Sequence, residues 1–136
     1  MNKLVGVYGT LRKGERNYAI MGDSTYLTTV FLYGYQMYGG PDYPAIIKGT
    51  NEESVVLEIF RVSNAYIASD IDRLEGFDRK RPNDSSNFYT LRYIQLDSFE
   101  EPIEVYTFDH APSRANALGP KIVSGDWSKR TNLIST

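Results

Sequence analysis

Lys3-Leu4-Val5-Gly6-Val7-Tyr8-Gly9-Thr10-Leu11-Arg12-Lys13-Gly14 is a short apolar run that halts at a glycine and passes into a polar turn. Leu4, Val5 and Val7 read as a buried central strand, and Gly6 leaves room for a close neighbour. Gly9 ends the run. Glycine lets the backbone approach a ligand closely and adopt positive φ. A strand that stops this way can aim several free N–H groups at one point, a small nest suited to a carboxylate or a developing oxyanion. Read alone, the stretch fits a plain strand-to-loop turn better than a binding turn.

Working outward, a short helix is expected from residue 15, ended by Gly22. Residues 26–38 are rich in β-branched and aromatic side chains and predict one strand, bent or bulged at Gly34. Gly39-Gly40-Pro41 and Gly49-Thr50-Asn51 are turns that flank a short strand at 43–48. Residues 54–62 form a further strand, its second half alternating apolar and charged. Ser63 reads as the N-cap of a helix that Gly76 closes. A polar loop at 77–87 contains Arg79-Lys80-Arg81. Strands follow at 88–96 and 103–108, and 109–136 is loop-rich, with Ile122-Val123-Ser124-Gly125-Asp126-Trp127 its one compact apolar segment. Several strands with one main helix predict an α+β fold around a curled mixed sheet. No repeat, linker or low-complexity tract interrupts the chain, and 136 residues fit a single domain, 1–136, with a real core.

Composition removes several classes of function. Charged residues at 24% and hydrophobic ones at 41% describe an ordinary globular chain. A net charge of −2 lacks the basic excess of a nucleic-acid binder, so no nucleic-acid partner is expected. Without cysteine there is no disulfide, thiolate nucleophile or cysteine-ligated metal. One histidine and no calcium-loop spacing leave no metal site to expect. No apolar run nears the ~20 residues that span a membrane. No apolar leader follows Lys3. The expectation is therefore a cytoplasmic protein with no membrane partner. Eleven tyrosines suggest β-structure and a pocket wall that is apolar yet able to hydrogen-bond. His110 reads as structural or exposed, and no Gly-x-Ser-x-Gly supports a serine triad. The turn at 9–14 lacks the Gly-Lys-Ser/Thr ending of a phosphate loop. Arg79-Lys80-Arg81 reads as a solvated run that could also meet an anionic substrate tail.

One acid is misplaced for a solvated helix. Ile67, Ile71 and Leu74 lie at about 0°, 40° and −20° around the helix, and Glu75 at about 80°, on the edge of the apolar stripe. Glu75 also stacks on Ile71 four residues earlier. Partial desolvation and the negative end of the helix dipole both push its pKa up, toward a range where it can take and give a proton near neutrality. Asp70 and Asp72 fall on other faces and read as solvated. A frayed helix end with Glu75 reaching water accounts for the same pattern at least as well.

Together these stretches resemble one family. Val7-Tyr8-Gly9-Thr10-Leu11-Arg12-Lys13-Gly14, with Asn17 three residues on, is similar to the Tyr-Gly-Thr-Leu signature of the γ-glutamylcyclotransferase-like proteins, which include γ-glutamylamine cyclotransferases and AIG2-like proteins. Ile71-Asp72-Arg73-Leu74-Glu75-Gly76-Phe77 resembles the helix end that carries that family's catalytic glutamate. Val105-Tyr106 and the Ser-Gly-Asp-Trp at 124–127 resemble its later strand and C-terminal segment. Two departures stand out. The family often opens the strand after the glutamate with Tyr-x-Arg, where this chain has Tyr89-Thr90-Leu91-Arg92. A tyrosine is common shortly after Asp-Trp, where this chain has Ser128-Lys129-Arg130.

The resemblance implies a compact mixed β-barrel flanked by a few short helices, with a pocket at the end of the first strand. It implies a γ-glutamyl small-molecule substrate that cyclises to 5-oxoproline without a cofactor or metal. Glu75 would be the general acid/base. Backbone amides at Gly9, Thr10 and Leu11 would hold the α-carboxylate or the oxyanion, and Tyr8, Tyr89 and Tyr106 would wall the pocket. The alternative is a sensor or sequestering protein that binds a small anionic ligand in the same pocket and leaves it unchanged. The leaving group and the oligomeric state stay open.

Overall fold

The computed structural model describes residues 2–130. Strand β1 (Lys3–Val7) is the middle of a five-stranded mixed sheet. Its neighbours are β5 (Ser54–Val62), antiparallel, and β7 (Ile103–Thr107), parallel. Outside them lie β2 (Thr25–Tyr33) and β6 (Thr90–Ile94), so the order is β2-β5-β1-β7-β6. A second sheet pairs β3 (Tyr35–Gly39) with β4 (Pro44–Lys48). Helix α1 (Ala65–Leu74) packs on one face of the larger sheet, and a short helix α2 (Ala115–Leu118) lies beside β3 and β4.

The α+β class and the curled mixed sheet stand, but the sheet is not a closed barrel. β2 and β6 are its two edges and do not pair. The physical reason sits at Gly34. Its φ of 89° turns the chain out of the large sheet, so the strand expected over 26–38 is two strands in two sheets. A backbone bond from the Phe108 N–H to the Ile46 carbonyl (2.9 Å) ties the end of β7 to β4 without closing the ladder.

Alternation along β1 builds both cores. Val5 and Val7 face α1, with Phe60, Val62, Ile67 and Ile71 around them. Leu4 and Tyr8 face the other way, toward Met37, Ile46, Leu57, Ile59 and Trp127. β5 is buried on both faces, Glu58 included. Of the two charges in its alternating half, Glu58 is therefore an interior group, while Arg61 is part-exposed and pairs with Glu101 (2.8 Å).

Three boundaries differ from expectation. The N-cap of α1 is Asn64, not Ser63: its carboxamide oxygen accepts from the N–H groups of Tyr66 (2.9 Å) and Ile67 (3.4 Å). The helix expected from residue 15 is only a 3₁₀ turn, Tyr18–Met21, that starts after Asn17. In the loop-rich tail, Pro112 starts a helical turn that runs into α2 and buries Ala115, which the fixed φ of proline at a helix start favours. Residues 131–136 of that tail, and Met1, lie outside the described residues. Among the described residues no helix is long and apolar enough to cross a membrane.

Candidate active site

β1 ends at Val7, and the Arg12 N–H then closes onto the Gly9 carbonyl (3.0 Å). That bond makes a β-turn with Thr10 and Leu11 at its centre, where the central N–H groups are left over. The amides of Gly9, Thr10 and Leu11 meet no acceptor among the described residues. Asn17 braces the turn: its N–H donates to the Thr10 carbonyl (2.9 Å) and its Nδ2 to the Thr10 hydroxyl (3.0 Å). Gly9 is needed for space. It does not adopt positive φ, contrary to the expectation, and a Cβ there would sit 2.7 Å from Cδ and 2.8 Å from Cγ of Pro44.

The turn is locked from behind. Arg12 is buried, with Nε on Glu58 of β5 (3.1 Å) and Nη1 on Asp126 (2.8 Å). Glu58 also accepts from the Lys13 N–H (2.9 Å). Asp126 belongs to the Ser-Gly-Asp-Trp segment and caps the 3₁₀ turn Trp127–Lys129 through the Ser128 N–H (3.0 Å). Burial pushes the Asp126 carboxyl up, but the Ser128 and Arg12 hydrogen bonds outweigh it and hold the group below the usual carboxylate range.

Helix α1 delivers Glu75. The helix ends in a Schellman motif: the Gly76 N–H donates to the Arg73 carbonyl (3.1 Å) and the Phe77 N–H to the Asp72 carbonyl (3.0 Å). Gly76 takes the left-handed conformation this requires, at φ 61°. The segment ahead of β6 then docks on the helix end, with Phe88 N–H on the Gly76 carbonyl (2.8 Å) and Tyr89 N–H on the Glu75 carbonyl (3.3 Å). Glu75 is thereby held in the wall of a cavity of about 340 Å³ and keeps a half-buried position at its edge. Burial, then the charge of Asp72, raises its pKa to about 8, and no hydrogen bond opposes them. The sequence placed Glu75 correctly on the edge of the apolar stripe.

Asp72 is not solvated as expected. Arg79 grips it through Nε (2.9 Å) and Nη2 (3.0 Å), and the Tyr106 hydroxyl donates to it. Arg79 also reaches Glu104 (2.9 Å), which Lys3 pairs as well (2.8 Å). So the basic run at 79–81 is not a uniformly solvated stretch: Arg79 is committed to this network, and none of the three residues lines the cavity. His110 has a structural contact, its Nε2 lying 3.2 Å from the Asn87 carbonyl oxygen.

Tyr8, Gly9, Thr10, Leu11, Glu75, Tyr89 and Tyr106 all line that one cavity. The three tyrosines line it while their hydroxyls are spent on other partners. Tyr8 donates to the Tyr106 carbonyl (2.7 Å), Tyr89 to the Pro44 carbonyl (2.6 Å) and Tyr106 to Asp72. Burial, first of all, raises the pKa of each. They stay protonated and act as wall and brace. The sequence reading did not assign Arg16, Tyr43, Pro44, Leu74 and Phe88 to the site, and they line the cavity too. Arg16 and Asn17 sit in the polar stretch after Gly14, the one signal that pointed at them. Nothing local marks Tyr43 and Pro44, which arrive from the second sheet. Among the described residues no group of three or more His, Cys, Asp or Glu side chains is placed to hold a metal ion.

An open mixed sheet, its first strand ending in a turn of free amides that shares one cavity with a half-buried carboxyl at a helix end, frames the site. The chain belongs to the γ-glutamyl cyclotransferase, AIG2-like family, whose model matches residues 5–129. Solved structures share the fold. Protein PH0828 of Pyrococcus horikoshii superposes with a TM-score of 0.69 at 20% identity, over 98% of this chain and 95% of that one. Protein ytfP of Escherichia coli gives 0.63 at 26% identity, over 94% and 98%. A mouse AIG2-like protein, ggact, gives 0.59 at 19% identity, over 88% and 85%. No curated protein matches the sequence significantly.

Proposed function

We propose that this chain is a γ-glutamyl cyclotransferase-type enzyme, in which Glu75 moves the proton. The observation that carries the reading is a carboxyl with no hydrogen-bond partner among the described residues, in the wall of the same cavity as the free amides of Gly9, Thr10 and Leu11; burial and Asp72 raise its pKa to about 8. An ordinary glutamate is too weak a base to take a proton from an ammonium group, and a carboxyl poised near 8 can take it and return it. The cavity folds the substrate so that its α-amine faces its own γ-carbonyl. Such orientation can supply up to ~7–11 kcal/mol of the barrier. Glu75 accepts a proton from the α-ammonium, and the freed nitrogen bonds to the γ-carbonyl carbon. The amides at 9–11 hold the α-carboxylate or the oxyanion. Glu75 returns the proton to the leaving nitrogen as its bond to that carbon breaks, and the second proton shed by the ring nitrogen leaves with the amine, which departs as an ammonium. One substrate yields one 5-oxoproline and one amine or amino acid. Proton transfer of this kind contributes typically ~10²–10⁴-fold.

The test is a panel of γ-glutamyl amines, dipeptides and glutathione incubated with the protein, with both products measured. The expected result is equimolar 5-oxoproline and free amine from at least one member. A ligand that raises the melting temperature and is recovered unchanged would overturn the enzyme reading in favour of a binding protein.

A further inference from the structure

The cavity has a closed end and an open end, and the two differ in chemistry. Tyr8, Leu11, Tyr89 and Tyr106 are buried. Tyr43, Leu74 and Phe88 are 37–39% exposed and form the mouth, where the Tyr43 and Phe88 rings meet edge to face with centroids 5.7 Å apart. Arg16 stands with them and is the one cationic side chain in the lining among the described residues.

Arg16 differs from the other arginines near the site. Arg12 is saturated by the buried Glu58 at 3.1 Å and the part-buried Asp126 at 2.8 Å, and Arg79 by Asp72 and Glu104. Among the described residues Arg16 has only Asp42, at 4.0 Å, and both side chains are exposed, at 54% and 78%. A contact that long between exposed groups holds neither in place. The guanidinium is thus free to grip an arriving anion, and a carboxylate suits its two-pronged geometry. Beside it, Tyr43, Phe88 and Leu74 offer an apolar surface.

Building on the reading of the cavity as a γ-glutamyl site, the head of the substrate lies against Glu75 and the 9–11 turn, and the leaving group fills the mouth. We infer that Arg16 selects leaving groups that carry a carboxylate next to an apolar side chain. The substrates are then γ-glutamyl conjugates of bulky apolar amino acids, in preference to γ-glutamyl amines.

Two pairs of substrates isolate the carboxylate: γ-glutamyl-phenylalanine against γ-glutamyl-phenethylamine, and γ-glutamyl-leucine against γ-glutamyl-isopentylamine. The members of each pair differ by that group alone. The wild-type protein is expected to prefer the carboxylated member at least tenfold in kcat/KM, mainly through KM. In Arg16→Gln the ratio within each pair falls toward one, and Arg16→Lys restores part of it. A wild-type ratio near one, or in favour of the amines, overturns the inference while leaving the cyclotransferase reading in place. Equal losses on both members in Arg16→Gln also overturn it, since Arg16 would then serve the γ-glutamyl head. No 5-oxoproline from any of the four, with release from glutathione or another γ-glutamyl compound, overturns this inference alone, whereas silence from every γ-glutamyl compound overturns the underlying reading with it.

Discussion

Glu75 concentrates the chemistry of the site in one carboxyl, and its environment has a thermodynamic signature. Its pKa stands near 8 in the folded chain, through burial first and then Asp72, against about 4.3 when unfolded. The folded state therefore holds this proton more tightly, and between those values stability falls as pH rises. Below about pH 4 the group is neutral in both states and costs nothing. Above about 8 the group is charged in both states and the whole of its cost is present. Glu75→Gln removes that cost. It should melt higher than wild type at pH 8–9, by on the order of 2 kcal/mol once water at the cavity mouth is allowed for. The gap should close toward pH 4, as calorimetry across pH would show. A variant that melts no higher at pH 9 would mean a solvated Glu75. At this scale the sequence was informative, because a helix converts spacing into facing. Asp72 was misread for a complementary reason: its partners Arg79 and Tyr106 are 7 and 34 residues away, beyond the reach of helical periodicity.

At the scale of elements, the end of α1 is a device for aiming. Gly76 at φ 61° lets the Schellman bonds form, and an added Cβ would lie 2.9 Å from the Phe88 Cβ. Gly76→Ala is expected to cost ~1–3 kcal/mol in urea unfolding, from strain and crowding together. It should also lower kcat, because Phe88 and Tyr89 dock on the same carbonyls that position Glu75. Wild-type kcat in a destabilised Gly76→Ala would separate the motif from the chemistry. Leu-Glu-Gly was legible as a helix ending, since glycine at that position has few other reasons. The helix start was read one residue early because Ser63 and Asn64 are both good caps, and only geometry chooses between them. The strand break at Gly34 was visible as a bend. That it sends β3 to a different sheet depends on pairing with β4, which composition does not encode.

Across the whole molecule, the turn at 9–12 is held by residues far away in the chain. Arg12 ties it to Glu58 on β5, 46 residues on, and to Asp126, 114 residues on. Removing the cation leaves Glu58, which is buried, and Asp126, which is part-buried, without their shared partner. Arg12→Met is expected to lose ~3–5 kcal/mol in urea unfolding, and a variant with Glu58→Gln added should recover part of it. A loss below ~1 kcal/mol would mean that water already reaches these acids. The open sheet belongs to this scale too. A barrel was expected from resemblance, but closure is decided by whether the two edge strands meet, and here β2 and β6 do not. The order of strands along the chain carries little of that information.

The account rests on Glu75 as the group that moves the proton, and the most direct measurement is 5-oxoproline release by wild type and Glu75→Gln side by side, on the best substrate of the panel. Wild type should release it, with kcat/KM rising with pH toward about 8 as the carboxyl ionises. The folded variant should bind the substrate and release at least ~10²-fold less. A Glu75→Gln that turns over at the wild-type rate would contradict the account.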